Sequence, residues 1–144
     1  MINIQIKRPF HLDGLKESIV NAVEGTLKNQ SAGEQEIDLS IVITSDKELQ
    51  RLNKNHLGIN NPTDVLSFSG GDIDPDTGNR YLGDVIISFE RVRVQALEHG
   101  WTELEEIQLL VIHGTLHLLG FDHSESNQEI QMWSIQTNIL HSLK

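Results

Sequence analysis

The sequence predicts a small α+β domain in which a β-sheet of about four strands is flanked by about five helices. Three observations point there. Four short stretches carry the alternating or continuously apolar pattern of strands, and five longer ones repeat apolar residues at helical spacing. One of the five, ending near Leu119, is apolar almost all round and carries two histidines four residues apart. A helix of that kind is central and buried. With 144 residues, one domain over 1–144 is the natural expectation.

Ile2, Ile4 and Ile6 alternate with polar residues and open the chain as a strand, which Pro9 stops. Leu12, Leu15, Ile19, Val23 and Leu27 follow helical spacing and predict a helix over 12–27 with one face on the core. Residues 29–36 are polar, contain Gly33 and read as a loop. Ile37 to Thr44 alternates and then turns continuously apolar, a second strand. Ser45-Asp46-Lys47-Glu48 has capping-box form and starts a short helix through about Asn55. Lys47, Arg51 and Lys54 share one face of it, a solvated face with a phosphate contact as its functional alternative.

After a loop over 58–62, Thr63 to Phe68 reads as a strand, and Tyr81 to Phe89 as its hairpin partner. The glycine- and aspartate-rich connection at 70–79 lacks the closing glutamate of a calcium loop. Ser88 or Glu90 opens a helix containing Val92, Val94, Ala96 and Leu97, and Gly100 ends it. Thr102-Glu103-Leu104-Glu105 is a capping box that starts the apolar helix running through Leu119. Residues 127–143 form the last helix, with Ile130, Trp133, Ile135, Ile139 and Leu140.

Composition narrows the chemistry. The chain is 38% apolar and 22% charged, as in soluble globular proteins, and its net charge is −10. That charge argues against coating nucleic acid through a broad basic surface, while leaving room for a small local cleft. There is no cysteine, so a metal here must use His, Asp or Glu. The opening residues lack a signal-peptide core, and no apolar run approaches the ~20 residues of a membrane span. A cytoplasmic location is expected, with neither membrane nor DNA as partner.

The chemistry sits in His113-Gly114-Thr115-Leu116-His117-Leu118-Leu119-Gly120-Phe121-Asp122-His123. Positions i and i+4 lie ~40° apart and about 6 Å along a helix, so His113 and His117 present two imidazoles on one face. Gly120 suits the left-handed turn that lets the chain double back and bring His123 to the same point. Three imidazoles with one open position suit one catalytic Zn²⁺ per chain, or another imidazole-binding metal. Such a centre activates water and polarises a carbonyl or phosphoryl oxygen, which implies metal-assisted hydrolysis. The spacing equals that of the metzincin peptidases, except that Gly114 stands where they carry the general-base glutamate. That departure speaks against a peptidase.

The eleven-residue run resembles the signature of the YbeY-type endoribonucleases, bacterial 16S rRNA maturation factors. Pro62-Thr63-Asp64-Val65-Leu66-Ser67-Phe68 and Leu82-Gly83-Asp84-Val85 with Ser88 agree, as do Gln95-Ala96 and the region of Met132. The likeness covers roughly residues 37–143. It implies a mixed sheet flanked by helices, zinc on His113, His117 and His123, and cleavage of single-stranded RNA. It further implies action in 16S rRNA 3′-end maturation and ribosome quality control, with the ribosome or ribosomal proteins as partners. The family often has an arginine five residues before its Pro-Thr-Asp block; here Leu57 occupies that place, and Lys54 or His56 is the candidate substitute at the substrate. Asp122 is a candidate to orient a ligand or to act as base through water, against the competing reading of a turn aspartate. Asp84, Ser67 and Thr115 read as structural hydrogen-bonding groups and Met132 as core. Two other readings stay open: a ribosome-assembly factor whose zinc is mainly structural, and a zinc peptidase.

Overall fold

The computed structural model describes residues 1–30, 32, 36–58, 63–71, 73–121 and 125–144. Four strands and five helices follow one another along these residues: β1 (Ile2–Ile6), α1 (Leu15–Asn29), β2 (Ile37–Thr44), α2 (Asp46–Leu57), β3 (Val65–Ser69), β4 (Arg80–Ser88), α3 (Phe89–His99), α4 (Glu103–Leu118) and α5 (Ser126–Ser142). The strands form one mixed sheet in the order β1-β2-β4-β3. β1, β2 and β4 run parallel, and β3 pairs antiparallel with β4 at one edge. The α+β class, the strand and helix numbers and the β3–β4 hairpin all match the expectation.

Register decides which residues face the core. Ile4, Ile41 and Val85 are aligned across three strands, and Ile6, Ile43 and Ile87 form the next row. Leu39, Ile41, Ile43, Val85 and Ile87 are fully buried in one core cluster with apolar residues of α1, α4 and α5. Burying a side chain of that size stabilises by roughly 1.5–3 kcal/mol relative to exposure. The alternate residues point to the other face, where α2 packs on β3 and β4 through the buried Leu49.

Helix boundaries follow local chemistry. α1 starts at Leu15 rather than at 12, because Gly14, at φ 77°, takes a left-handed turn immediately before it. Leu12 therefore lies outside the helix, although it still packs on the core. Ser45 caps α2 by accepting from the Glu48 amide, but the Glu48 carboxylate accepts from Arg51 instead of closing a capping box. Ser88 caps α3, and Gly100 ends it with a left-handed turn. Thr102 and Glu105 form the complete capping box at the start of α4, which gives the amides of both residues an acceptor.

Candidate metal centre

α4 is central because little of its surface is polar. Ile107, Val111, Ile112 and Leu116 are fully buried, and Thr115 is too, its hydroxyl donating to the Val111 carbonyl within the helix. Gly114 lets α4 approach the sheet closely. A Cβ there would lie 2.5 Å from Val85 Cγ1 and 3.1 Å from Ser67 Oγ. Ser67 crosses the same gap and donates to the Gly114 carbonyl at 3.2 Å. A glutamate at 114 would have to displace this packing, so glycine here has a steric cause as well as a chemical consequence.

This packing fixes the face that carries His113 and His117. Their rings meet nearly edge to face, with centroids 4.6 Å apart, and their Nε2 atoms are 3.2 Å apart. Zn–N bonds of about 2.0–2.1 Å in a tetrahedron put ligand nitrogens about 3.3–3.4 Å apart. The pair thus already has close to the bite a tetrahedral zinc needs. The other ring nitrogen of His113 supports the same reading. Nδ1 lies 2.7 Å from Oε1 of Gln136, a residue of α5 only 4% exposed. That oxygen only accepts, so Nδ1 carries the proton and Nε2 carries the ring's lone pair.

α4 ends as the sequence implied. Gly120 has φ 105°; its amide donates to the His117 carbonyl and the Phe121 amide to the Leu116 carbonyl, both at 3.0 Å. This reciprocal pair is a Schellman cap, which reverses the chain just after the second histidine. His123 and Asp122, the expected third ligand and the candidate base, lie outside the described residues, as does Pro62 of the second block. Among the described residues, no three His, Asp or Glu side chains gather around one point.

The remaining candidates separate. Phe68 follows Ser67 on β3 and so points to the opposite face, where the exposed His56 ring lies against it at 5.1 Å. A contact from His56 to substrate at His113 would therefore come round the edge of β3. Lys54 is exposed on the same helix. Arg51, on the basic face of α2, pairs with Glu48, as a solvated face does. Leu57 is 56% exposed at the end of α2. Asp84 accepts from the Tyr81 hydroxyl, which also meets Ser40 Oγ at 2.9 Å. Burial, followed by the neighbouring Asp84, pushes the Tyr81 phenol up. Asp84 is thus structural, and Met132, 2% exposed, fills core below Gln136.

Gln136 is the residue missed from the sequence. Met132, Gln136, Ile139 and Leu140 make up one buried stripe of α5, and a polar residue within such a stripe is a signal. Its partner was not legible without the packing of α5 on α4.

The chain is similar to known proteins over its whole length. The family model described as Endoribonuclease YbeY matches residues 1–144. A protein named Endoribonuclease YbeY from Roseiflexus sp. strain RS-1 is 44% identical over 99% of this chain and 92% of its own. One of the same name from Halalkalibacterium halodurans is 34% identical over 96% and 95%. The solution structure of a Thermotoga maritima protein superposes with a TM-score of 0.64 at 25% identity, covering 99% of this chain and 89% of that one.

Proposed function

The chain belongs to the YbeY endoribonuclease family, and on that premise we propose that it is a metal-dependent hydrolase that cuts single-stranded RNA, acting over residues 1–144 as one unit. The observation that carries the metal part is the Nε2 pair at 3.2 Å, with His113 oriented by Gln136. His113 and His117 would hold one Zn²⁺ together with His123. When bound, the ion supplies Lewis acidity toward a phosphoryl oxygen and lowers the pKa of water.

The chain's own residues do the rest. α4 holds the two imidazoles in one orientation, and Gln136 keeps the proton on Nδ1 of His113. Gly114 leaves no carboxylate at the position a peptidase uses, which speaks against peptide hydrolysis. Asp122 is the candidate to orient a ligand or move the proton, and Lys54 and His56 are the candidates to meet phosphates round the edge of β3. The cellular setting we propose is the cytoplasm, with 16S rRNA 3′-end maturation and ribosome quality control as the process and the ribosome as partner. No helix among the described residues is long and apolar enough to cross a membrane.

One observation favours a second reading, an assembly factor with a structural metal: an exposed Leu57 stands where the family often has arginine. Incubating zinc-loaded protein and the His113→Ala variant with single-stranded RNA tests the first. Cleavage by the parent alone is expected, and equal cleavage by both refutes it. A His117→Ala protein that melts close to the parent temperature supports a catalytic ion; one that is unfolded supports a structural ion.

A further inference from the structure

His113 is one wall residue of a cleft of 580 Å³ between α3, α4 and α5. That volume falls in the range of about 300–1,000 Å³ typical of small-molecule sites. The cleft extends away from the histidine pair along α5, where Trp133 stands one helical turn before Gln136 and Ile130 one turn further back. Trp133 is 54% exposed and Ile130 70% exposed, so both present apolar surface to solvent at the mouth. The polar lining holds the carboxylates of Asp64, Glu98, Glu106 and Glu129, of which Glu106 is paired with His99 at 2.8 Å. Glu98 on α3 and Glu129 on α5 line the cleft, and their carboxylates make no hydrogen bond or ion pair among the described residues. Asp64 is held there by Gln95, whose amide donates to it at 3.3 Å.

Phosphate does not suit such a lining, because carboxylates repel it. A flat ring with amino hydrogens does. An exposed indole is a stacking platform for an unpaired base. A carboxylate accepts hydrogen bonds and donates none, so it favours bases that carry an amino group, adenine, cytosine and guanine, and disfavours the paired carbonyls of uracil. We propose that this cleft is a base-binding subsite next to the metal centre, which takes one unstacked amino-bearing base of the RNA, rather than uracil, against Trp133 with its amino group toward Glu98 and Glu129. The subsite rests on the reading that RNA is the substrate. It places the sugar-phosphate chain outside the cleft, toward His113, and makes cleavage depend on the base beside the scissile bond.

Binding, rather than cleavage, is the test. The intact zinc-loaded protein is titrated with labelled, non-cleavable 2′-O-methyl hexamers of A, C and U, followed by anisotropy. The hexamers of A and C should bind about tenfold tighter than that of U. Trp133→Ala should weaken the A hexamer about tenfold, with Trp133→Phe recovering most of the loss. The exposed pair Glu98→Gln/Glu129→Gln should bring the A-to-U ratio close to one. Equal parent affinities for all three hexamers would overturn the proposal, as would a folded Trp133→Ala protein with parent affinity. Displacement of a lysine-rich peptide, but not of RNA, by these substitutions would mark a peptide site and also overturn it. His113-dependent cleavage without base preference would remove the subsite alone; no binding of any hexamer would remove the RNA reading with it.

Discussion

Replacing Gln136 by leucine removes a side chain that orients a candidate ligand from outside α4. Leucine has similar volume, so the buried stripe of α5 stays filled and the main loss is the acceptor 2.7 Å from His113 Nδ1. An orphaned buried donor costs about 1–3 kcal/mol. Gln136 is buried but His113 is only half-buried, so the lower end applies. About 1 kcal/mol corresponds to a drop of roughly 2–4 °C in Tm at this chain length. The larger effect falls on the metal. Without the Nδ1 acceptor the ring loses the contact that fixes its tautomer, and loss of such a partner commonly weakens metal binding 10–100-fold. Zinc affinity is read by competition with a chromophoric chelator at fixed pH, with Tm recorded on the metal-free protein. Gln136→Glu is the control: a carboxylate accepts the same proton and adds charge, so binding should be retained or tightened. A leucine variant with parent zinc affinity and parent Tm would refute the positioning argument. Equal weakening by leucine and glutamate would show that the amide does something other than accept.

Two more perturbations test the frame that holds the site. Gly114→Ala pushes a Cβ to 2.5 Å from Val85 Cγ1, which should cost about 1–3 kcal/mol in urea unfolding, and Val85→Ala in the same chain should recover part of it; additive losses would show that the helix approach is not the cause. Glu105→Gln keeps the capping box but removes the charge that Lys144 and Thr102 hold below the usual carboxylate range. Because the folded-state pKa is lowered, this stabilisation is present above the ordinary value of 4.5 and is lost as pH falls through the folded-state value. The pair is partly exposed, so the variant should be about 0.5 kcal/mol less stable at pH 7, with the gap closing in acid; a gap independent of pH would contradict it.

What the sequence made legible was local. Two imidazoles four apart, the Thr102–Glu105 box and the Gly120 reversal each depend on a few neighbouring residues, and each stands in the structure as its spacing implied. Helical spacing misled at Leu12, because apolar repetition does not register the left-handed turn at Gly14. The same pattern carried no distinction among apolar residues of α3 and α5. Leu97, 85% exposed, Ile130 and Trp133 read like Val92 and Ile139, yet the first three face solvent while the last two are buried. Which side of a helix is buried depends on what packs there, and α3, α4 and α5 leave a cleft between them rather than closing. Gln136 shows the converse: a polar residue in an apolar stripe that owes its place to one imidazole on another helix. Three of these exceptions, the exposed Ile130 and Trp133 and the buried Gln136, lie on the walls of the space that His113 adjoins, whereas Leu97 does not. Core packing accounts for neither kind: Trp133 leaves apolar area in water, and Gln136 sets a polar group inside. The two departures on one helix, a turn apart, are therefore what selection for a ligand next to that histidine would leave.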